Sequence, residues 1–154
     1  MYMHYWLMKT EPEEFSIDDL ERRPGQTEPW NGIRNYQARN LLRDEMQKGD
    51  LAFLYHSSCA EPGIAGIMTI ASAAYPDPTA FDPKSKYYDP KSKCDAPTWY
   101  QVDVKFKRKL QKIIPLYELR LHKPLQKMRL LRRGNRLSVM PVTQKEWDYI
   151  LKLE

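Results

Sequence analysis

The spacing of apolar residues along the chain changes period several times, and each change marks an element. Tyr5 to Lys9 is a short aromatic and apolar run that Glu11-Pro12 ends, since proline cannot donate to a ladder; it reads as a first strand. Ser16 ahead of Ile17-Asp18-Asp19-Leu20 has the form of an N-cap with acids in the first turn, and Pro24-Gly25 closes that short helix. Glu28-Pro29-Trp30-Asn31-Gly32 has the composition of a turn. From Asn35 to Met46, residues Ala38, Leu41, Leu42 and Met46 recur at helical spacing. After the turn at Lys48-Gly49-Asp50 come two apolar runs, Leu51 to His56 and Ile64 to Ala74, that suit adjacent central strands.

The second half is more broken. Pro76 to Pro97 is rich in proline, and Asp82-Pro83-Lys84-Ser85-Lys86 recurs as Asp89-Pro90-Lys91-Ser92-Lys93 around Tyr87-Tyr88. Loops of this length are uncommon in compact domains and are usually functional or mobile; the echo is a local duplication, too short in period for a solenoid. Trp99 to Lys107 alternates, with Tyr100, Val102, Val104 and Phe106 on one side and Gln101, Asp103, Lys105 and Lys107 on a wet, mostly basic side. Ile113-Ile114 extends the sheet, Leu116 to Leu121 and Leu125 to Leu131 read as short helical pieces split by Pro124, and Leu137 to Val142 is extended. Thr143-Gln144-Lys145-Glu146 is a capping box for a last helix with Trp147, Ile150 and Leu151 inward. Strands in the middle, helices in the crossovers and one terminal helix make an α+β domain around a small, mixed, barrel-like sheet.

Composition bounds the function. The 154 residues form one domain, with 25 Lys+Arg against 20 Asp+Glu for a net charge of +5. That charge is unevenly spread. Lys105 to Arg136 holds twelve basic residues and one acid, Glu118, for +11, which leaves −6 on the remainder. Such a stretch fits a polyanionic partner, or else a solvated face that maintains solubility. Ten Tyr and four Trp exceed what a core of this size requires, and their flat faces suit bases or sugars. Cys59 and Cys94 with three dispersed histidines define neither a disulfide framework nor a zinc site, so no metal or cofactor is expected and a reducing compartment is the simplest setting. The glycines do not build a phosphate loop. Tyr5 to Met8 is too short for a signal peptide, and no run reaches the length of a membrane span; a soluble, cytoplasmic protein is expected, or a nuclear one in a eukaryote.

The ordered blocks Tyr5-Trp6-Leu7-Met8-Lys9-Thr10-Glu11-Pro12, Phe15-Ser16-Ile17-Asp18-Asp19-Leu20 and Trp30-Asn31-Gly32-Ile33-Arg34-Asn35-Tyr36-Gln37-Ala38-Arg39-Asn40 closely resemble the EVE domain. Gly49-Asp50, Tyr55-His56-Ser57, Pro62-Gly63-Ile64-Ala65-Gly66, Tyr75-Pro76-Asp77 and Leu137-Ser138-Val139-Met140-Pro141-Val142 continue the match over essentially all of residues 1–154. Ile33 stands where valine is commoner, and Met140 where glutamine is common. The resemblance implies a PUA-like pseudobarrel, α+β, of mixed strands with short crossover helices and a C-terminal helix, related to ASCH and YTH domains. It further implies a module that binds DNA or RNA and reads a modified base, with no established catalytic residue and no cofactor.

By analogy with tryptophan cages of YTH domains, Trp30 is the stacking platform and Asn35 to Asn40 wall the pocket. Such a stack contributes on the order of 1 to 3 kcal/mol. Each candidate also has a structural role open to it. Trp30 either stacks on a base or packs the core; Asn35 reads a base edge or caps a helix; Tyr36 and Arg39 line the pocket or lie on a solvated helix. Tyr55, His56, Ser57 and Ser58 close a strand, where they either bond a base edge or phosphate or satisfy local backbone. Ser138 and Pro141 present backbone to a ligand or close the barrel, and Lys9 meets a phosphate or makes a surface ion pair.

Two other classes stay open. A hydrolase acting on a modified nucleoside or RNA, as ASCH-like domains suggest, needs a nucleophile or base, and Glu11, Glu13, Glu14 and His56-Ser57-Ser58-Cys59 lack a defined orienting residue. A protein-interaction module would use the segment from Pro76 to Pro97. Phosphate contacts by Lys84, Lys86, Lys91 and Lys93 would instead make binding fall steeply with salt.

Overall fold

The computed structural model describes residues 4–154. Seven strands form the sheet: β1 Tyr5–Thr10, β2 Thr27–Trp30, β3 Leu51–His56, β4 Gly63–Ile70, β5 Tyr75–Pro76, β6 Tyr100–Pro115 and β7 Val139–Val142. The spatial order is β2-β6-β4-β3-β1-β7, with β5 added on β6. Among the described residues only β1 and β3 run parallel, pairing Tyr5 with Leu51 through Thr10 with His56; the other pairs are antiparallel. Among the described residues four α-helices, with short 3-10 and π turns between elements, complete the α+β pseudobarrel: α1 Ile17–Arg22, α2 Tyr36–Asn40, α3 Leu116–Leu119 and α4 Gln144–Leu151.

Local chemistry sets the helix starts. Ser16 and Thr143 each accept the backbone N–H three residues on while Asp19 and Glu146 return the bond, so both N-termini carry full capping boxes. After α2 the chain widens into a π turn over Leu41–Glu45, which turns Leu41 and Leu42 into the core. On α4, Trp147 stacks on Phe53 at 3.9 Å and on Tyr5 at 4.7 Å, sealing one side of the sheet.

The sheet curls because β6 is long and bulged. Its register against β4 slips twice, between Ile64 and Gly66 and between Ile67 and Met68, and bulges of this kind bend a strand and sharpen its twist. Gly66 sits where the slip is largest, and a Cβ there would lie 2.5 Å from Ile17 Cδ1 and 3.0 Å from the Arg108 carbonyl oxygen. The result brings β2 and the residues that lead into β7, at the two ends of the strand order, to opposite sides of one gap.

The fold revises several expectations. The 28–32 segment is not all turn: Thr27–Trp30 is strand β2, pairing Trp30 with Val102, and Pro29 is tolerated because β2 is an edge. The second apolar run stops as a strand at Ile70, where Ala71 N–H turns to the Asp103 carbonyl. Gln101 does not lie on a wet face; it is 2% exposed, because β5 pairs Tyr75 against it. The 105–136 charge is partly offset, since Arg108 bonds Glu154 and Lys109 bonds Asp18 at 2.7 Å. No helix among the described residues is long and apolar enough to cross a membrane.

Asp50, 4% exposed, holds the start of β3 to β1: Oδ2 accepts the Trp6 indole N–H and the Gln47 N–H, both at 2.9 Å, and Oδ1 accepts His4 N–H at 3.3 Å. Asp50→Ala leaves the buried indole N–H unpaired and is expected to cost about 3 kcal/mol, with Asp50→Asn costing less, as read from urea unfolding midpoints.

Candidate functional site

The gap between β2 and the approach to β7 is a cavity of about 520 Å³. It lies at the carboxyl ends of the parallel pair: Lys9 and Thr10 come from β1, Ser57 from the residue after β3, and Arg136, Leu137 and Ser138 from the approach to β7. Glu28, Pro29 and Trp30 from β2 form the opposite wall, with Glu11, Glu14 and Phe15 from the turn before α1. The mouth is completed from far away in sequence by Lys86 and Tyr87. Hydrogen bonds Lys9 N–H to Ser138 O at 2.8 Å and Ser57 N–H to Thr10 O at 2.9 Å tie the floor together.

Aromatic faces line two sides. Trp30 is 7% exposed, so most of its ring belongs to the core, and Phe15 meets it edge to face at 6.2 Å with an interplanar angle of 84°. Arg23 covers Phe15 at 5.1 Å and bonds Glu28 at 3.2 Å, closing the outside of that wall. Tyr87 is placed by Gly32, whose φ of +83° a side chain rarely adopts and whose missing Cβ would sit 2.6 Å from the Tyr87 ring.

The 76–99 segment holds this position through one knot. Asp77 is fully buried, and its carboxylate accepts Gly32 N–H at 2.8 Å, Thr79 N–H at 2.8 Å, Thr79 Oγ1 at 2.6 Å and Arg34 Nη1 at 3.1 Å. Arg34 also donates twice to the Tyr87 carbonyl, at 2.8 and 3.0 Å. The duplicated pentapeptide folds as the same turn twice: Asp82 accepts Lys84 N–H and Asp89 accepts Lys91 N–H, at 2.9 and 3.0 Å. The copies then diverge, as Ser85 caps Tyr87 and Ser92 caps Thr98.

Charges at the rim come in two kinds. Lys86 pairs with Glu14, and Arg23 with Glu28. Lys9, Arg136 and Glu11 have no ion pair among the described residues. Burial pulls the Lys9 ammonium below its usual range. The described residues contain no group of three His, Cys, Asp or Glu placed to hold a metal ion.

Residues 4–153 match the family model described as the EVE domain. The chain belongs to the EVE domain family. It is 50% identical to human thymocyte nuclear protein 1 over 167 residues, 97% of this chain and 73% of that protein, whose name places it in the nucleus. A Pseudomonas syringae structure is 51% identical, with a TM-score of 0.92 over 97% of this chain and 98% of its own. The human THYN1 protein in complex with DNA containing 5-methylcytosine is 50% identical, with a TM-score of 0.92 over 97% and 96% of the two chains.

In this EVE domain the candidate residues part into two groups. Lys9, Trp30, Ser57 and Ser138 meet at the cavity. The others lie outside its lining. Asn35 caps α2 by accepting Ala38 N–H at 2.9 Å. Tyr36 lies on Trp99, and Arg39 beside it donates to the Thr98 carbonyl. Tyr55 is buried in β3 opposite Lys9, its phenol pushed up to about 12 chiefly by burial. His56, 7% exposed, accepts Ile17 N–H on Nε2 at 3.2 Å and so fixes the start of α1. Ser58 takes a positive φ of 53° in the turn to β4, and Pro141 is exposed on the edge strand β7 opposite Trp6. Phe15, Tyr87, Arg23 and Arg136 are cavity residues that the sequence does not single out as ligand-binding, and Glu11 figures in it only as a candidate catalytic base; Phe15 lies inside one of the EVE-like blocks, whereas Tyr87 depends on a contact 53 residues away.

Two outcomes follow from this geometry. Gly32→Ala imposes a strained backbone and drives a methyl into Tyr87, so a loss of about 1 to 3 kcal/mol is expected in urea unfolding, with shifts of the Tyr87 ring resonances. Burial also holds the His56 imidazole below its ordinary 6.5. The unfolded chain therefore binds a proton that the folded site refuses, and stability is expected to fall as pH drops below about 6.5. Unfolding midpoints across that range, flatter in His56→Gln, check the assignment; an unchanged slope in the variant refutes it.

Proposed function

We propose that this EVE domain reads a modified base in DNA, 5-methylcytosine or a close analogue, by taking the base into the cavity between β2 and the approach to β7. The observation that carries this reading is the cavity itself: about 520 Å³, walled by Trp30, Phe15 and Tyr87, with Lys9, Ser57 and Ser138 on its floor and side. A base removed from its stack needs an aromatic surface and polar groups at its edge, and both are present. The half-buried Lys9 ammonium and the hydroxyls of Ser57 and Ser138 supply donors, and Glu11 supplies an acceptor of the kind that suits a cytosine amino group. A methyl group on the base adds apolar surface that the aromatic walls favour over water.

The human relative bound to 5-methylcytosine DNA supports DNA as the polymer, and its name supports a nuclear location wherever the host cell has a nucleus. Outside the cavity, the exposed Arg132 and Arg133 and the loop lysines Lys84, Lys91 and Lys93 supply phosphate affinity without sequence preference.

The test is titration of this protein with matched oligonucleotides carrying cytosine or 5-methylcytosine, at two salt concentrations. Wild type is expected to prefer the modified strand. Trp30→Ala should lose about 1 to 3 kcal/mol of that binding. Since Trp30 is mostly buried, Lys9→Met serves as the second variant; it removes the ammonium while keeping the stem. Equal wild-type affinity for both strands, or both variants binding like wild type, overturns the reading.

A further inference from the structure

Outside the cavity, α2 and the end of the 76–99 segment carry a second aromatic cluster. Tyr36 is 61% exposed, yet its ring is held at 4.9 Å from that of Trp99, with 32° between the planes. The support is rigid: Trp99 is buried, and its indole N–H donates to Asp89 Oδ2 at 2.7 Å. The Arg39 guanidinium lies 5.0 Å from the Tyr36 centroid. It is anchored by Nη1 to the Thr98 carbonyl at 3.0 Å and by Nε and Nη2 to Asn40 Oδ1, neutral acceptors that leave its charge available. Arg43, near Tyr100 at 5.9 Å, is by contrast compensated by Asp44.

A single exposed tyrosine needs no explanation. Here the ring is immobilised beside an available guanidinium, and it is joined to the cavity. Arg34 lies 5.4 Å from the Trp99 ring and 5.6 Å from Tyr87, a residue of the cavity mouth. The series Tyr87, Arg34, Trp99, Tyr36, Arg39 is thus a continuous run of aromatic and cationic groups leading away from the cavity. Within this run Trp99 and Arg34, committed to Asp89 and Asp77, are the support, and Tyr36 with Arg39 is the exposed part; an exposed, fixed aromatic face beside an arginine is what single-stranded nucleic acid stacks on, because every base has a π face and every linkage a phosphate.

We propose that Tyr36 and Arg39 form a second stacking platform, which receives the base flanking the one held in the cavity while Arg39 meets the adjoining phosphate. The proposal rests on the cavity being a nucleobase site. Stacking of this kind tolerates any base, so the platform adds affinity and leaves the preference for the modified base to the cavity.

Fluorescence anisotropy with wild type, Tyr36→Ala and Tyr36→Phe tests this, on plain and 5-methylcytosine strands whose 5′ or 3′ neighbouring nucleotide is intact or abasic. Tyr36→Ala is expected to weaken binding about 5- to 150-fold on intact strands with the modified-to-plain ratio unchanged. Tyr36→Phe, which keeps the ring, should bind like wild type. On one of the abasic strands wild type should drop to the level of Tyr36→Ala, with no further loss from the substitution. A Tyr36→Ala protein that binds like wild type, or whose loss persists in full on both abasic strands, overturns the platform. If wild type prefers the modified strand but Tyr36→Ala changes nothing, the platform falls and the cavity reading stands. If wild type shows no preference while Tyr36→Ala still weakens plain strands, the cavity reading falls and stacking at Tyr36 stands.

Discussion

The buried Asp77 carboxylate is the contact on which the working side of the molecule depends. A fully desolvated charge is tolerable only with its oxygens saturated, and this one accepts from Gly32, from Thr79 twice and from Arg34. That knot gathers three regions: the chain leaving β2, the start of the proline-rich segment, and, through Arg34, the Tyr87 carbonyl. Ordering a long segment without regular structure costs conformational entropy at each residue, which a few concentrated anchors must offset. Loss of Arg34 would leave the buried Asp77 carboxylate short of a partner while freeing Tyr87. One event would therefore unmake both the aromatic mouth of the cavity and the path toward Trp99.

The cavity exists because the barrel does not close. Exposed sheet edges invite pairing with other chains, and complete closure would remove them. Here β2 and the approach to β7 come to opposite sides of one gap and stop, with the bulged β6 setting the curvature. Each edge is guarded by a proline, which cannot donate to an incoming strand: Pro29 on β2 and Pro141 on β7. The space between them receives the ends of the parallel strands β1 and β3, so groups from four strands or their flanks converge on one volume without any of them leaving regular structure for long.

Much of this was legible in the sequence wherever the deciding interaction is local. Ser16-x-x-Asp19 and Thr143-x-x-Glu146 announce their helices because a capping box is closed within four residues. Trp30 was read as part of a turn because Pro29 and Asn31-Gly32 flank it, and the pairing that makes β2 a strand comes from Val102, far along the chain. The same limit governs the site. Lys9, Ser57 and Ser138 are brought together by the β1 pairings and their continuations, which apolar runs foreshadow, whereas Tyr87 depends on Gly32 and Arg34, contacts with no local signature. Asn35 and His56 stood in the right blocks, but their hydrogen bonds go to Ala38 and Ile17. A motif locates a neighbourhood; which of its side chains face the ligand is decided by backbone groups elsewhere that need a partner.

Affinity and selectivity are physically separable in such an arrangement. The exposed arginines and lysines act through a screened field that any polyanion satisfies, and added salt weakens it. The cavity acts at short range with its rim charges already balanced, Lys86 by Glu14 and Arg23 by Glu28, so these pairs add little long-range attraction. Lys9, outside these pairs like Arg136 and Glu11, differs from them in that burial has already removed part of its hydration, which is why its ammonium lies below the usual range. A group in that condition has less water to lose when an acceptor arrives, and the gain is confined to acceptors that reach the floor of the cavity. On the proposed reading, selection by shape and selection by charge thus meet at one side chain, placed there by the pairing of β1 with both of its neighbours.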